Sequence, residues 1–339
     1  MENILEVKNL HVTFSTYGGN VKAVRGVDFH LKKGETLAIV GESGCGKSVT
    51  SNSIMRLIPN PPGRIVAGNI LFNGEDLTKA SEKRMRSIRG VDISMIFQDP
   101  MTALNPTLTI GTQLIEGLVQ HHKVTAKQAK RKAIEMLELV GIPNPEERLK
   151  QYPHQFSGGM RQRIVIAIAL ICEPELLIAD EPTTALDVTI QAQILELFIK
   201  IQKETGVSII LITHDLGVVA KIADRIAVMY AGKIIETGTK REIFYEAQHP
   251  YTKGLLHSVP RLDARGDLKP IDGSPPDLFS PPIGCPFAAR CPFTMEVCDN
   301  VFPVQTNLSH HHIVNCWLQD PRAKKSKSVR ITVDGRQPT

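Results

Sequence analysis

The stretch Gly41-Glu42-Ser43-Gly44-Cys45-Gly46-Lys47-Ser48 has the spacing G-x-x-x-x-G-K-S of a phosphate-binding loop. Its glycines adopt torsions that other residues resist, and they let the main chain come close to a phosphate chain. The backbone N–H groups then form a nest for anions, and a helix that begins near Lys47 points its positive end at the same place. We expect Lys47 to reach the β- and γ-phosphates and the Ser48 hydroxyl to bind Mg²⁺.

The sequence on either side of this loop supports the interpretation. The apolar run Thr36-Leu37-Ala38-Ile39-Val40 precedes the loop and reads as a buried strand. The motif therefore lies between a strand and a helix, which is the context that it requires. A glycine-rich turn without a ligand is the alternative, and the flanking strand argues against it.

Composition and charge restrict the classes of function. The chain has 339 residues, of which 42% are hydrophobic, so a sizeable core is expected. No signal peptide is recognisable, and the longest apolar run near the middle, 164–172, is about half of the roughly 20 residues that a membrane span needs. We therefore expect a soluble chain that meets a membrane only through a partner. The net charge of +5 equals the excess of six basic residues over one acidic residue in 321–339, which argues against a broad basic face for nucleic acid.

The periodicity of apolar residues predicts an α/β fold with a helical insert. Residues 4–14 and 24–31 alternate as half-buried antiparallel strands, whereas 110–140 has helical spacing. After residue 158 buried strands and helices alternate again, which indicates a parallel sheet covered on both faces. The expected elements there are helix 158–171, strand 176–179, helix 187–203, strand 208–212 and a hairpin of 226–230 with 233–236.

Polar residues that follow the predicted buried strands complete the expected phosphate site. Asp180 and Glu181 end one strand, Gln98 follows strand 92–97, and His214 follows strand 208–213. Ligands of open α/β sheets bind at these carboxyl ends. We expect Asp180 to hold Mg²⁺ and Glu181 to act on the attacking water as a general base or orienter. Taken alone, adjacent acids at a strand end are often only solvated, and His214 or Gln98 alone would be a cap or a turn residue.

The chain resembles an ATP-binding cassette (ABC) ATPase. The signature sequence of that family is similar to Phe156-Ser157-Gly158-Gly159-Met160-Arg161-Gln162-Arg163. The usual form is Leu-Ser-Gly-Gly-Gln, so Phe156 keeps the apolar character and Met160 removes an amide that often contacts the nucleotide of the partner. The resemblance implies that Ser157, Gly158, Gly159 and Met160 cap the ATP of a second ATPase subunit.

The same resemblance assigns further residues. The glutamine loop matches Gln98, the D-loop matches Ala185-Leu186-Asp187, and the switch histidine matches His214. The aromatic side chain that stacks on adenine is expected to be Phe14, or Tyr17 if the loop is shifted. The ATP contacts that the resemblance implies in and after the loop are Gly41, Ser43, Gly44, Cys45, Gly46, Lys47, Ser48 and Val49. The implied Mg²⁺ ligands are Ser48, Gln98 and Asp180. The implied catalytic groups are Lys47, Gln98, Glu181 and His214.

The resemblance implies a P-loop NTPase of the α/β class with a RecA-like core, an antiparallel β subdomain, a helical subdomain and a C-terminal cysteine-rich extension. The expected divisions are 1–104 with 156–240 for the ATPase core, 105–155 for the helical subdomain, 241–320 for the extension and 321–339 for a basic flexible tail. Movement of the helical subdomain is expected to push on a membrane subunit.

A finer resemblance is to ATPase subunits of dipeptide, oligopeptide and nickel importers. It rests on the stretches 97–106 and 181–189, on His249-Pro250-Tyr251-Thr252, and on Cys285-Pro286-Phe287-Ala288-Ala289-Arg290-Cys291-Pro292. This similarity implies transport of peptides driven by ATP hydrolysis at the cytoplasmic face of the membrane. The implied partners are a second ABC ATPase subunit, two transmembrane permease subunits and an extracytoplasmic peptide-binding protein. Nickel or another small solute remains the alternative cargo, because specificity lies in the other subunits.

Four of the six cysteines, Cys285, Cys291, Cys298 and Cys316, are spaced C-x5-C-x6-C-x17-C near the C-terminus. Zinc ribbons usually have C-x2-C pairs. The spacing leaves three alternatives open, namely a [4Fe–4S] cluster, a zinc site and free thiols. Some members of the resembled family are reported to hold an iron–sulfur cluster in this extension, so a [4Fe–4S] cluster with a structural or sensing role is the expectation and zinc the alternative.

Two functions of other classes compete with transport. A soluble ABC ATPase acting on nucleic acid usually has two cassettes or long coiled-coil arms, whereas this chain has one phosphate loop and no sustained heptads. An iron–sulfur sensor that only binds ATP would not need Glu181 and His214.

Overall fold

The computed structural model of the chain describes residues 2–98, 103–122, 124–184, 186–258 and 271–323. The predicted basic tail from residue 324 onward, residues 99–102 and Ala185 of the D-loop lie outside the described residues. In chain order the strands and helices are β1 (Asn3–Thr16), β2 (Gly19–Lys32), β3 (Thr36–Val40), α1 (Lys47–Ile54), β4 (Gly63–Phe72), β5 (Glu75–Asp76), α2 (Glu82–Ile88), β6 (Ile93–Ile96), α3 (Ile110–His122), α4 (Ala126–Leu139), α5 (Pro145–Arg148), α6 (Gly158–Leu170), β7 (Leu176–Asp180), α7 (Val188–Thr205), β8 (Ser208–Thr213), α8 (Leu216–Ile222), β9 (Arg225–Tyr230), β10 (Lys233–Thr239), α9 (Lys240–Glu246), α10 (Pro250–His257), α11 (Glu296–Asn300), β11 (Gln305–Asn307) and β12 (Ile313–Asn315).

The central sheet has eight strands in the order β11-β12-β10-β9-β3-β8-β7-β6. The five strands from β9 to β6 run parallel, with Ile39 paired to Ile212 and Ala179 to Leu211. Every residue of β3, β7 and β8 is buried, because helices cover one face of this part of the sheet and the antiparallel strands β1, β2 and β4, with α1 and α2, cover the other. The parallel α/β core predicted from the apolar runs is therefore present, and the ends of β3, β6, β7 and β8 meet at one edge.

A second sheet of four antiparallel strands, β2-β1-β4-β5, covers one side of the core. The alternation in 4–14 and 24–31 corresponds to β1 and β2, and both strands extend beyond the predicted bounds. Their inward residues, including Leu5, Leu10 and Leu31, share a buried cluster with residues of β3. The hairpin that joins the two strands turns at Tyr17 and Gly18.

The helical insert consists mainly of α3 and α4, which contact each other and α6. Their apolar faces, with Leu114 and Leu137 among them, join the buried cluster that also holds α6 and α7. Helix α4 begins with a capping box formed by Thr125 and Gln128 and ends just before Gly141, which has a φ of 74°. Spacing and end signals in the sequence predict both helices.

The C-terminal segment extends the central sheet, which the sequence did not indicate. Strand β12 pairs antiparallel with β10, where Val314 lies opposite Glu236, and β11 pairs with β12. For this region the family resemblance implies a cysteine-rich extension, 241–320, without predicted strands. Strands of three residues are too short for a periodic apolar pattern, so their pairing is decided by the neighbouring strand β10.

Candidate nucleotide-binding site

The phosphate loop leaves the carboxyl end of β3 and leads directly into α1. A Cβ atom at Gly41 would lie 2.1 Å from the Met229 carbonyl oxygen, and one at Gly46 would lie 2.5 Å from the Ala23 carbonyl oxygen. Both glycines also have positive φ, 155° and 102°. Only glycine fits these positions without strain. Because Gly41 and Gly46 have no side chains, the backbone of the loop can pack directly against β9 and β2.

The Lys47 side chain lies inside the loop. Its Nζ donates hydrogen bonds to the carbonyl oxygens of Gly41, at 2.8 Å, and of Glu42, at 3.0 Å. Lys47 is only 5% exposed although no carboxylate pairs with it among the described residues. A buried ammonium beside backbone N–H groups at a helix N-terminus is an arrangement that suits a polyphosphate.

Ser48 and Asp180 connect α1 to the end of β7. The Ser48 hydroxyl donates a hydrogen bond of 3.1 Å to Oδ1 of Asp180. Burial raises the pKa of the Asp180 carboxyl above its usual value, and the hydrogen bond from Ser48 opposes part of that rise. A hydroxyl and a buried carboxylate side by side are the hard oxygen ligands that Mg²⁺ prefers, so this pair fits the expected Mg²⁺ site.

Glu181 is the centre of a group of polar side chains at the same edge. Its Oε2 accepts hydrogen bonds from Gln98 Nε2, at 3.1 Å, and from Thr184 Oγ1, at 3.0 Å. Its Oε1 lies 3.3 Å from His214 Nδ1. The structure therefore brings together Gln98, Glu181 and His214, which are separated by 83 and 33 positions in the chain.

The backbone at Glu181 has a φ of 48°, which is uncommon for a residue other than glycine. Its N–H donates to the carbonyl of Ile212 in β8 at 2.8 Å, which fixes the backbone from which the side chain projects. Backbone strain of this kind is concentrated at functional sites. Sequence reasoning did not identify Thr184, because a threonine three residues after an acid has no signal of its own.

The signature residues form a separate group at the N-terminus of α6. The Ser157 hydroxyl caps this helix by accepting from the Met160 N–H at 3.4 Å, and Ser157 and Gly158 are exposed. The apolar residue before them, Phe156, is buried. Within the described residues no hydrogen bond joins Ser157 to the phosphate loop, so its exposed helix end is available to a ligand held by another chain.

The D-loop carboxylate is also a helix cap. Asp187 Oδ1 accepts from the Ile190 N–H at 2.9 Å at the beginning of α7. A Cβ atom at Gly159 would lie 2.9 Å from the Ile190 side chain, so the D-loop helix packs closely against the signature helix. The exposed residue after the cap, Val188, is 82% accessible.

The two candidate aromatic residues for adenine differ in their surroundings. Phe14 is half-buried and packs with the cluster of the antiparallel sheet, and a Cβ atom at Gly63 would lie 2.6 Å from its ring. Tyr17 stands at the tip of the β1–β2 hairpin and is fully exposed. Of the two rings, therefore, Tyr17 has a free face, whereas Phe14, our first expectation, is committed to packing.

The four C-terminal cysteines lie close to one another. Burial raises the pKa of Cys285 and Cys316 to about 12 and that of Cys291 to about 11, and it also raises the pKa of Cys298. Repulsion between thiolates raises these pKa values further: Cys291, Cys298 and Cys316 act on Cys285, Cys291 and Cys298 act on Cys316, and Cys298 acts on Cys291. Among the described residues, however, no three His, Cys, Asp or Glu side chains are arranged as ligands of one metal ion. The iron–sulfur cluster therefore stays a prediction.

No helix within the described ranges is long and apolar enough to cross a membrane.

Known protein families match most of the chain. A model described as "ABC transporter" matches residues 24–184, and one described as "Oligopeptide/dipeptide transporter, C-terminal region" matches residues 235–298. The first covers the phosphate loop, the signature and Glu181, and the second includes three of the four C-terminal cysteines.

Among curated proteins, the dipeptide transport ATP-binding protein DppD of Bacillus subtilis is 71% identical over 325 residues, which are 96% of this chain and 97% of that protein. The oligopeptide transport ATP-binding protein OppD of the same organism is 60% identical, over 95% of this chain and 90% of that protein. Among solved structures, the dimeric ATP-binding cassette MJ0796 bound to ADP and Pi is 27% identical, with a TM-score of 0.62, and the match covers 70% of this chain and 99% of that one. Cbio1 of Clostridium perfringens is 30% identical with the same TM-score, over 73% of this chain and 92% of that one.

Sequence identity above 50% along nearly the whole chain, the shared fold and the assembled phosphate site agree with one another. The chain belongs to the family of ABC transporter ATP-binding proteins of the dipeptide and oligopeptide transport type.

Proposed function

We propose that this chain is the ATP-hydrolysing subunit of a membrane importer for dipeptides and oligopeptides. The observation that carries the proposal is the Glu181 carboxylate, held by Gln98, Thr184 and His214 next to the Ser48–Asp180 pair. A site that only bound ATP would not need a carboxylate poised in this way beside the Mg²⁺ ligands. The similarity to DppD and OppD supports peptides as the cargo.

The chain's own residues bind the nucleotide first. The loop amides and Lys47 surround the β- and γ-phosphates, and Tyr17 stacks on the adenine in place of Phe14. Ser48, Asp180 and Gln98 hold Mg²⁺, which when bound neutralises charge on the phosphate oxygens. The loop and α1 residues that face the phosphates are Gly41, Ser43, Gly44, Cys45, Gly46, Lys47, Ser48 and Val49.

Hydrolysis then depends on the group around Glu181. The carboxylate orients the attacking water and accepts its proton, a role supported by its place directly after β7 and next to the expected Mg²⁺ ligand Asp180. Gln98 and Thr184 hold its second oxygen, which limits rotation of the side chain. His214, which is 62% exposed and lies beside Glu181, contacts the γ-phosphate.

Each ATP site is completed by a second ATPase subunit. Ser157, Gly158, Gly159 and Met160 cap the nucleotide of that partner, and Asp187 lies at the same interface. This assignment is supported by the exposure of the α6 N-terminus and by the dimeric state named for the related cassette MJ0796. Hydrolysis thus requires the pair of subunits.

The proposed transporter combines the divisions of this chain with membrane and binding-protein subunits. The ATPase core comprises 1–104 and 156–240, the helical subdomain 105–155, the extension 241–320 and the basic tail 321–339. Closure of the two ATPase subunits moves the helical subdomain against two transmembrane permease subunits, and an extracytoplasmic binding protein delivers the peptide. The chain then lies peripherally at the cytoplasmic face of the membrane.

The four C-terminal cysteines hold a [4Fe–4S] cluster, with zinc as the alternative. The burial and mutual proximity of the thiols support this, because thiolate ligands of a cluster must be gathered in a small volume. Protein purified without oxygen should be brown and contain about four irons per chain. Colourless protein with one zinc per chain would contradict the cluster and favour the alternative.

Transport is tested with the complete complex in lipid vesicles. Peptide-loaded binding protein should stimulate ATP hydrolysis, and Lys47→Ala should abolish it, whereas Lys127→Ala on the exposed start of α4 should not. Stimulation by nickel and not by peptide would contradict the cargo. Stimulation by nucleic acid, with no membrane subunit copurifying, would contradict transport altogether.

A further inference from the structure

A buried arginine of the C-terminal segment reaches the phosphate loop. Arg290 Nη1 and Nη2 donate to the two carboxylate oxygens of Glu42 at 2.8 and 3.1 Å. Nη1 also donates to the Tyr230 hydroxyl at 3.1 Å, Nη2 to the carbonyl of Ile271 at 3.1 Å, and Nε to the carbonyl of Asp272 at 2.8 Å. All five N–H donors of the guanidinium group therefore have an acceptor. The Arg290 side chain is 6% exposed and that of Glu42 25%.

Glu42 is held from three directions. Arg290 holds its carboxylate, and the hydroxyl of the fully buried Tyr251 accepts its backbone N–H at 2.9 Å. Its carbonyl oxygen accepts the hydrogen bond of 3.0 Å from Lys47 Nζ. Any displacement of Glu42 therefore changes the position of the Lys47 ammonium as well as that of the neighbouring loop amides.

The position of Arg290 is itself fixed. It ends a short 3₁₀ turn, Ala288–Arg290, that lies between Cys285 and Cys291. The preceding Phe287 packs edge-on against the rings of Tyr230 and Tyr251, with 5.4 Å between ring centroids in each pair. Arg290 thus projects from a rigid aromatic cluster and cannot follow the loop if the loop moves.

We propose that Arg290 is a positioning residue for the ATP site and that, through Glu42, the C-terminal segment sets the conformation of the phosphate loop. This inference rests on the proposed ATPase function. A bidentate guanidinium–carboxylate pair fixes direction as well as distance, which a single charge would not do. Because binding of a polyphosphate depends on the simultaneous alignment of Lys47 and several amides, a small displacement at Glu42 weakens all of these contacts together.

The test compares variants of the full chain, together with its partner ATPase subunit. Arg290→Met removes both the charge and the hydrogen bonds, whereas Arg290→Lys keeps the charge and loses the bidentate hydrogen bonding to Glu42. Glu42→Gln keeps the shape of the loop side chain and removes its charge. Arg322→Met serves as the control, because Arg322 forms an exposed pair with Asp320 in the same segment.

The measurements are the Kd of ATP, by equilibrium binding at a temperature well below unfolding, and the kcat at saturating ATP. Arg290→Met should raise the Kd roughly 10- to 100-fold with a smaller change in kcat. Arg290→Lys should recover part of the affinity, and Arg322→Met should match the wild type. The double variant Arg290→Met with Glu42→Gln should be no weaker than the more affected single variant, because both act through one contact.

A purely structural role would give a different pattern. Wild-type Kd values in the Arg290 variants, with only a lower unfolding temperature, would overturn the inference. Should Arg290→Met fail to fold, Glu42→Gln and Arg290→Lys still test the same pair, and unchanged Kd values in both would overturn the inference equally. Failure of the wild-type chain to bind ATP would instead contradict the proposed function and is thus distinguishable.

Discussion

Gln162 and Pro182 join the signature helix to the segment that follows Glu181. The Gln162 side chain is fully buried, and its Nε2 donates to the Pro182 carbonyl oxygen at 2.7 Å. Helix α6 begins with the residues assigned to the ATP site of the partner, whereas Pro182 adjoins the residue assigned to hydrolysis in this chain. The hydrogen bond thus links the helix assigned to the ATP site of the partner with the segment that follows Glu181.

Replacing Gln162 with Leu should weaken both the fold and catalysis. The Pro182 carbonyl would lose its donor in a buried place, which costs about 1–3 kcal/mol in the free energy of unfolding. Turnover should also fall, because the segment beside Glu181 is no longer held. Denaturant unfolding and an ATPase assay measure the two effects. The control is Gln120→Leu on the exposed face of α3, and equal stability and turnover of both variants would contradict the assigned role.

Glu181→Gln should lower ATP turnover by roughly 10²–10³-fold while ATP still binds. The amide keeps the shape of the side chain, so it can still contact Gln98 and Thr184, but it cannot accept a proton from water. Turnover and nucleotide retention in the paired subunits measure the effect. Glu204→Gln, at an exposed position of α7, should leave turnover unchanged. Wild-type turnover in Glu181→Gln would exclude the general-base role.

Substitutions of Tyr17 and Phe14 should affect different properties, namely the affinity for ATP and the free energy of unfolding. Tyr17→Ala removes an exposed ring, so we expect about a tenfold or larger rise in the Kd of ATP and no loss of stability. Phe14→Ala removes a ring that packs with Gly63, so it should lower the free energy of unfolding. Fluorescent nucleotide titration and denaturant unfolding distinguish the effects. If Phe14→Ala weakened ATP binding and Tyr17→Ala did not, the adenine contact would be assigned to Phe14.

The Asp180 carboxyl should contribute to the pH dependence of the free energy of unfolding. Since burial raises the pKa of this carboxyl in the folded chain, folding favours its protonated form. This contribution to stability is complete below the unfolded pKa and is lost as the pH rises through the raised folded pKa. Without nucleotide and Mg²⁺, Asp180→Asn should therefore be more stable than the wild type at pH 7.

The advantage of Asp180→Asn should decrease as the pH falls through the raised pKa, because the wild-type carboxyl then becomes neutral too. Mg²⁺ with ATP should stabilise the wild type and not this variant. Unfolding curves at several pH values, with and without Mg²⁺ and ATP, measure both effects. A stability difference that does not change with pH would show that the Asp180 charge is not the cause.

The sequence predicts the core well because its signals are local, and the signals for the phosphate site are equally local. A continuous apolar strand, a glycine loop and a following helix define the surroundings of Lys47, and acids at the ends of strands predict Asp180 and Glu181. The contacts that the sequence did not predict join distant parts of the chain. Arg290 and Glu42 are 248 positions apart, and no spacing rule relates an arginine in a cysteine-rich segment to a variable position of a phosphate loop.

Residue type alone does not separate the two neighbouring candidates for the adenine contact. Phe14 and Tyr17 are both aromatic residues near the same hairpin, and only their burial separates them. The short strands β11 and β12 carry no apolar alternation, so their place in the central sheet depends on β10. Both cases depend on tertiary packing, which overrides local preference.

The joint between Arg290 and Glu42 also limits how this chain can be recombined with its relatives. A chimaera that takes its C-terminal third from this chain and its phosphate loop from a cassette without an acid at position 42 would bury a guanidinium group beside the loop without its carboxylate. Such a loss leaves a charge uncompensated and is strongly unfavourable. The two positions should therefore be exchanged as a unit, and the cassette and its C-terminal segment inherited together.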